Sequence, residues 1–318
     1  MSTIAANKTI VCLGRETTYG TAFTTPTIKL PDMMEYTFGK EQITIPQKTQ
    51  TLAPMIKISQ AGRDMPTVTI SGVLTADHEE LLVATFGDVA SPYVIAADDI
   101  AANAAGYSYT IIQAVPAASD DLGTGVVATG CRLETFNISK NGTYIGYSAT
   151  FKAVSVDDQV SLSAYVLTGI TDTTYPELVP FLWQDTTASI LDTAAVTELN
   201  TFSLDLTNEY VDDDLSFQNS ATRKSLSKCG TTGTLSAEWI YDTVKDATAY
   251  DNLLSQTPQT DTIILLTGDK RWTIVTEGQY TDYTKPDKEK CLFVSNFTKS
   301  LLGTTAIVPI TVTVATLP

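Results

Sequence analysis

The stretch PTVTISGVL, residues 66–74, decides the fold class of this chain. Apolar Val68 and Ile70 alternate with hydroxyl side chains, and this period-two pattern is typical of a strand with one buried face. The stretch leads directly into a helix-like segment, residues 75–87. A second stretch, CGTTGTLSA at residues 229–237, leads in the same way into another helix-like segment. The pattern therefore indicates one strand-rich unit that occurs twice.

The spacing of similar segments supports an internal duplication. Gly72 and Gly233 stand 161 residues apart, and Phe136–Lys140 precedes the similar Asn296–Lys299 by nearly the same interval. A chain of 318 residues also exceeds the usual size of a single core. We therefore predict an all-β, β-dominated fold with two tandem β-sandwich or half-barrel modules, each with one flanking α-helix.

The order of strand signals sets the predicted module boundaries. We expect an extended N-terminal segment at 1–30, a first module at 31–165, a linker at 166–198 and a second module at 199–318. Each module would contain a long polar excursion between its first two strands. These excursions are residues 42–63 in the first module and the acidic residues 209–228 in the second.

Both helices are predicted to bury one apolar stripe. In the first, Thr75 is the expected N-cap and Gly87 the expected end. Its predicted stripe is Leu81, Leu82, Thr85 and Phe86. In the second helix, residues 243–256, the predicted stripe is Val244, Ala247, Tyr250 and Leu254.

The charge balance argues against nucleic-acid and membrane binding. The formal net charge is −16, with −6 in residues 1–160 and −10 in the remainder. Such a surface repels phosphate groups and anionic lipids. No run of about 18 apolar residues is present, so no membrane partner is expected. The four cysteines form no CxxC pair, and we expect free thiols in a reducing compartment.

No motif predicts catalysis, a cofactor or a metal. His78 is the one histidine, and its place in a predicted helix favours a solvated side chain. The carboxylate pairs at 98–99, 120–121 and 157–158 fall in predicted loops. The run Asp212–Asp214 lacks the spacing of a dedicated calcium loop. Glycine-rich phosphate-binding loops are also missing.

Several short motifs, in order along the chain, carry a family resemblance. The segment GRETTYGTA at 14–22 resembles the opening of tail tube (major tail) proteins of long-tailed bacteriophages. Further motifs of that family follow in the same order. They are ISGVL at 70–74, GCRL at 130–133, FSLDLTN at 202–208, SATRK at 220–224 and TGTLSA at 232–237.

The resemblance implies a structural virion protein and no enzymatic activity. Each module would be a tube-like β-sandwich whose strands join those of neighbouring subunits into a continuous barrel. A trimeric pseudo-sixfold ring is favoured, although the resemblance also allows a six-chain ring, and the rings would stack into a tube. The implied partners are further copies of the chain, the tape measure protein, the tail terminator and the distal tail or baseplate proteins. Genomic DNA would pass through a negatively lined channel without specific binding, in a virion assembled in the host cytoplasm.

The two polar excursions are the predicted contacts between stacked rings. The candidate residues are Gln42, Lys48, Lys57, Arg63, Asp212, Asp213, Asp214, Gln218, Arg223 and Lys224. A carbohydrate-binding or adhesive β-sandwich of a virion or cell surface is the alternative. That class would present exposed aromatic side chains on loops, whereas Trp183, Trp239 and Trp272 lie in apolar sequence.

Overall fold

A computed structural model describes most of the chain. The residues it covers are 10–25, 28–29, 34–47, 58–95, 107–116, 122–166, 179–190, 199–212, 226–240, 243–268, 270–284, 294–301 and 308–317. Strands dominate these residues, which confirms the predicted all-β class. No helix within these ranges is long and apolar enough to cross a bilayer.

In its described residues, the first half of the chain holds nine strands and one α-helix. They are β1 (Ile10–Arg15), β2 (Ile28–Lys29), β3 (Met34–Gln47), β4 (Ile58–Val73), α1 (Glu79–Phe86), β5 (Tyr93–Ile95), β6 (Tyr109–Pro116), β7 (Leu122–Asn141), β8 (Tyr144–Lys152) and β9 (Ser155–Ser161). A 3-10 turn, Ala76–His78, precedes α1.

The second half repeats much of this order. Its elements are β10 (Thr187–Ser189), β11 (Leu199–Asp212), β12 (Leu226–Ile240), α2 (Thr243–Ser255), β13 (Gln259–Thr267), β14 (Lys270–Thr284), β15 (Val294–Leu301) and β16 (Ile310–Thr316). Short 3-10 turns lie at Leu162–Ala164 and Trp183–Asp185.

The order of neighbouring strands is the same in both halves. Antiparallel pairing gives β3-β4-β8-β7-β6-β1 in the first half and β11-β12-β15-β14-β13-β10 in the second. Strands β9 and β16 pair with β7 and β14 in corresponding places. We call these two sets module 1 and module 2. Strand β11 of module 2 also pairs with β7 of module 1, so one sheet runs through both modules.

The register shows which residues correspond. Val68 of β4 lies opposite Phe151 of β8, and Leu235 of β12 lies opposite Lys299 of β15. The next strand of each module has an irregularity in its pairing at the same place. In β7 the irregularity directly follows Leu133, and in β14 it directly follows Tyr280. Equivalent residues of β4 and β12 are therefore 167 positions apart.

Two correspondences predicted from the sequence are wrong in detail. The counterpart of Gly72 is Trp239, not Gly233. Residues 136–140 lie in β7, whose counterpart is β14, whereas 296–299 lie in β15. The predicted offset is six residues too short. An even shift preserves the alternation of inward and outward residues, so the pattern alone does not detect it.

The excursions are more regular than predicted. Gln42 and Arg63 lie in the paired strands β3 and β4, and Asp212 is the last residue of β11, because both hairpins extend well beyond the predicted strands. The pair Asp157–Asp158 lies in β9 and not in a loop. Three strands fall outside the predicted modules, β1 and β2 within residues 1–30 and β10 within residues 166–198.

The inward face of the sheet and α1 share one core. The predicted stripe of α1 is confirmed, and Val83 and Ala84 are buried with it. Gly87 ends the helix in the left-handed conformation, as expected. The predicted stripe of α2 is wrong: Ala247, Tyr250 and Leu254 are exposed, while Ala249 is buried. The sequence periodicity predicted this helix correctly, but it did not predict which face of the helix is buried.

Candidate assembly interface

Two antiparallel strand pairings join the modules, a short one of β5 with β16 and a longer one of β11 with β7, which we call the junction. It runs from Ser203 opposite Ser139 to Thr207 opposite Thr135. Alternate residues point into the core, where Leu204 lies opposite Ile138 and Leu206 opposite Phe136; all four are buried. Apolar pairs on one face and main-chain bonds along the edge hold the modules in one register.

Polar side chains connect the two strands on the opposite face. The Asn137 amide Nδ2 donates to Asp205 Oδ1 at 2.6 Å and to Ser203 Oγ at 2.8 Å. Ser139 Oγ donates to Asn137 Oδ1 at 3.0 Å, which fixes the orientation of the amide. This face therefore reinforces the register that the buried pairs set.

A buried side-chain amide forms hydrogen bonds across one end of the junction. Asn208 of β11 donates from Nδ2 to the carbonyl oxygens of Leu133 (3.0 Å) and Thr85 (3.3 Å). Its Oδ1 accepts a hydrogen bond from Thr231 Oγ1 at 2.8 Å. Lys228 Nζ adds a second donor to the Thr85 carbonyl at 3.2 Å. Module 2 thus satisfies the Thr85 carbonyl at the last turn of α1, which the helix itself leaves open, and the Leu133 carbonyl of β7.

Aromatic and cationic contacts close the other end. Trp183 stacks on Phe202 of β11 with ring centroids 6.0 Å apart. Lys140 of β7 lies 4.4 Å from the centre of the Trp183 ring, and its Nζ donates to the Asn200 carbonyl at 2.5 Å. These contacts join module 1, module 2 and the segment between them.

Both partners of this junction have a counterpart at the ends of the sheet. The counterpart of β11 is β3, which pairs with β4 alone among the described strands. The counterpart of the β7 segment 135–139 begins at Asp282 of β14. There β14 pairs with β15 on one side, and no other strand in the described part of the chain pairs with residues 282–284. Two of the edges of the sheet, at β3 and at residues 282–284 of β14, therefore match the two sides of its own internal junction.

Hydroxyl groups dominate the face of the sheet that points away from the core. The described side chains on this face include Thr67, Thr69, Ser71, Thr135, Ser139, Ser148, Thr150, Ser203, Thr207, Thr234, Ser236, Thr298 and Ser300. Acidic Asp205, Glu209 and Asp282 are exposed here, and Lys152 forms an ion pair with Glu134 at 2.7 Å. The face is polar, with a few acidic groups and a neutralised lysine.

The Glu16 side chain gives the GRETTYGTA segment a structural role. Its carboxylate accepts hydrogen bonds from the N–H groups of Gly20 (3.0 Å) and Gly130 (2.8 Å) and from Thr110 Oγ1 (3.0 Å). Tyr19 lies under the guanidinium of Arg132, 4.3 Å from its ring centre. The segment ties the N-terminal turn to β6 and to the bend of β7.

His78 is buried, which contradicts the predicted solvated position. Its Nδ1 accepts a hydrogen bond from the Thr75 N–H at 3.0 Å, and its ring lies 4.5 Å from that of Tyr147. Burial lowers the pKa of His78 to about 4, so the ring is neutral at pH 7. The residue acts as the capping partner of Thr75, a role that glutamate or glutamine usually has.

Three of the ten predicted contact residues lie in the described part of the structure. Gln42 lies opposite Asp64 in the hairpin of β3 and β4, and Arg63 and Asp212 lie in strands. The remaining seven candidates fall outside the described residues: Lys48, Lys57, Asp213, Asp214, Gln218, Arg223 and Lys224. Within the described ranges, no group of three or more His, Cys, Asp or Glu side chains is arranged to hold a metal ion. Trp239 and Trp272 are buried in the core.

Comparison with known proteins agrees with this architecture. The sequence matches the family described as "Phage tail tube protein" over residues 6–306. The chain belongs to the phage tail tube protein family. This membership makes it a structural component of a phage tail and confirms the resemblance carried by the short motifs.

Structural comparison adds a distant neighbour of this tail tube protein. A chain of a "Virion of native gene transfer agent (GTA) particle" aligns at 11% identity with a TM-score of 0.31, covering 42% of the tail tube protein and 97% of its own length. No curated protein matches the sequence.

Proposed function

We propose that copies of this chain join side by side into a closed ring, and that stacked rings form a tube through which DNA passes. The observation that carries the proposal is the internal junction of β11 with β7. Both sides of that junction recur as open edges, at β3 and at β14. Unpaired edges favour association with another strand, and ring closure removes them.

The internal register predicts the register between chains. Leu204 and Phe38 hold equivalent places, opposite Leu235 and Val68. If the second junction copies the first, Gly39 of one chain lies opposite Thr284 of the next, because their counterparts are Asp205 and Asn137.

A ring of three chains is the favoured stoichiometry. Each chain already contains one junction between similar modules, so three chains would give six modules and six similar junctions in pseudo-sixfold symmetry. We propose that module 1 includes β1 and that module 2 starts at β10, which moves each boundary outward from the predicted 31 and 199. A six-chain ring in which one module lines the channel is the alternative arrangement.

The hydroxyl-rich face of the sheet suits the wall of a DNA channel. Serine and threonine offer neutral groups, and exposed Asp205, Glu209 and Asp282 repel phosphates. The net charge of −16 acts in the same direction. This face would let DNA pass without specific binding, and the protein would carry no enzymatic activity.

Contacts along the tube axis complete the proposal. The hairpin ends near Arg63 and Asp212, together with the candidate residues between their strands, remain our proposed contacts with the next ring. The tape measure, tail terminator and distal tail proteins would meet the inside and the two ends of the tube, in a virion assembled in the host cytoplasm.

Disulfide trapping tests the side-by-side junction. In a Gly39→Cys/Thr284→Cys variant, mild oxidation should link neighbouring chains, because paired residues of antiparallel strands lie within about 4.5–5.5 Å. A denaturing gel should show two-chain and three-chain species and no larger ones. Thr67→Cys/Thr284→Cys is the matched control, since Thr67 lies one strand further away.

The gel also separates the alternatives. A ladder that continues to six chains would replace the trimeric ring by a hexamer. Equal linkage in the control, or none in the test variant at concentrations where tubes form, would refute the proposed junction.

A further inference from the structure

We propose that the exposed face of α2 formed by Tyr250 and Leu254 is a docking surface for a second copy of this chain, specifically for its β3–β4 hairpin. This inference rests on the side-by-side assembly proposed above and assigns a surface that strand pairing alone does not. Its evidence is the difference between two helices that end in the same way.

The C-terminal ends of α1 and α2 can be aligned residue by residue from the geometry of their last turns. Gly87 follows α1 with φ 87° and donates its N–H to the Val83 carbonyl at 2.9 Å. Gln256 follows α2 with φ 54° and donates its N–H to the Asn252 carbonyl at 3.0 Å. Both residues thus form the same left-handed helix end.

This alignment makes Leu254 the counterpart of Thr85 and Tyr250 the counterpart of Leu81. Thr85 and Leu81 are each 1% exposed. Leu254 is 65% exposed and Tyr250 is 43% exposed. The two α2 side chains lie one turn apart on the same helix face. A face that is buried in module 1 is therefore open, and apolar, in module 2.

The hairpin of module 2 contacts the C-terminal end of α1. Asn208 of β11 and Lys228 of β12 both donate to the Thr85 carbonyl. Asn208 of β11 lies opposite Thr231 of β12. The pairing of these strands becomes irregular just beyond the next residue, Glu209. The hairpin of β3 and β4 has a similar feature, with Gln42 opposite Asp64 directly before its own irregularity.

The occupant of the α2 face follows from this equivalence. When β3 of a neighbouring chain pairs with β14, its hairpin reaches α2 as the β11–β12 hairpin reaches α1. Gln42, which holds the register position of Asn208, then lies at the last turn of α2. This favours a lateral contact for Gln42 within a ring. The apolar pair on α2 would become buried only in the assembled ring, which makes it a source of assembly free energy.

Cysteine accessibility tests the surface directly. Leu254→Cys should react rapidly with a maleimide in the monomer and roughly tenfold or more slowly in tubes, with mass spectrometry locating the label, since burial excludes the reagent. Val89→Cys is the matched control, because Val89 is 62% exposed but lies outside this helix face. Its reactivity should change little on assembly.

A second variant measures the contribution of the surface. Leu254→Asp should raise the protein concentration needed for tube formation about tenfold or more, because it places a charge in an apolar contact. The melting temperature of the monomer should stay unchanged, since the side chain is exposed there.

The outcomes separate this inference from the proposed function. Disulfide formation in the Gly39→Cys/Thr284→Cys variant, together with unchanged maleimide reactivity of the Leu254→Cys variant in tubes, would overturn the α2 surface and leave the strand junction intact. Equal protection of positions 254 and 89 would also overturn it, because it would indicate non-specific association. A protein that forms no tubes and no cross-link overturns both.

Discussion

The two modules share a strand order, but the residues at equivalent core positions differ. One row of inward residues crosses module 1 through Val68, Phe151 and Leu133. The equivalent row crosses module 2 through Leu235, Lys299 and Tyr280. A fully buried lysine therefore stands where module 1 has a phenylalanine.

The buried lysine has a complete set of partners. Lys299 Nζ lies 2.5 Å from Asp261 Oδ2, and both side chains are inaccessible to solvent. It also donates to the Thr276 hydroxyl and carbonyl oxygens, at 2.9 and 3.1 Å. The modules therefore share their backbone pairing but differ in the chemistry of equivalent core positions, so one module cannot simply replace the other.

Removing one partner of the Lys299–Asp261 ion pair should cause the largest loss of folding stability. Lys299→Met leaves the Asp261 carboxylate buried without its cation and should lower the free energy of unfolding by about 3–5 kcal/mol. The fluorescence of Trp239 and Trp272, both in module 2, would report the loss during urea unfolding. The double variant Lys299→Met/Asp261→Leu should recover most of it. A double variant as unstable as the single one would show that the pair itself is not the cause.

Acid should weaken module 1, which holds the one histidine. Because burial lowers the folded-state pKa of His78 from 6.5 to about 4, its contribution is complete above pH 6.5 and is lost as the pH falls towards 4. The lost stability should approach roughly 3 kcal/mol. Urea unfolding at pH 7 and pH 4.5, compared with His78→Gln, isolates this part from other acid effects. An identical pH dependence in both proteins would contradict the assignment.

Removing the Glu16 charge should have an intermediate effect confined to module 1. Glu16→Gln retains one acceptor oxygen for three donors and should cost about 1–3 kcal/mol. Thermal unfolding would measure the change, with Glu16→Ala as the more severe variant. Unchanged stability in both variants would remove the structural role given to this segment.

The exposed ion pair between Lys270 and Asp77 should contribute least to folding stability. Lys270 of β14 lies 3.6 Å from Asp77, and both side chains are partly exposed. Lys270→Ala should change the free energy of unfolding by less than about 0.5 kcal/mol. A larger loss would mean that the modules depend on this pair for their relative position.

Sequence patterns predicted the elements better than their environments. Alternation at Val68 and Ile70 located a strand correctly because it records one buried face. The burial of His78 was missed because it depends on Tyr147, a residue distant in sequence. The exposure of Leu254 was missed because helix periodicity identifies an apolar face without showing whether the rest of the chain packs against it.

The candidate interface was predicted only in outline. The motif FSLDLTN at 202–208 carried the family resemblance, and it proves to be the strand that joins the two modules. The alternation of apolar and polar residues in this motif does not predict β7 as its partner, because strand pairing depends on register and topology. Asn208 would have been a useful signal, since a polar residue that ends an apolar alternation often satisfies main-chain groups.

A cryo-electron microscopy reconstruction of tubes assembled from the purified protein would show which strands pair between chains. We expect β3 of each chain to lie antiparallel to β14 of its neighbour, with Gly39 opposite Thr284, and this junction to repeat the geometry of β11 on β7 around a pseudo-sixfold ring. A tube in which the β3 edge faces solvent, or pairs with any strand other than β14, would contradict it.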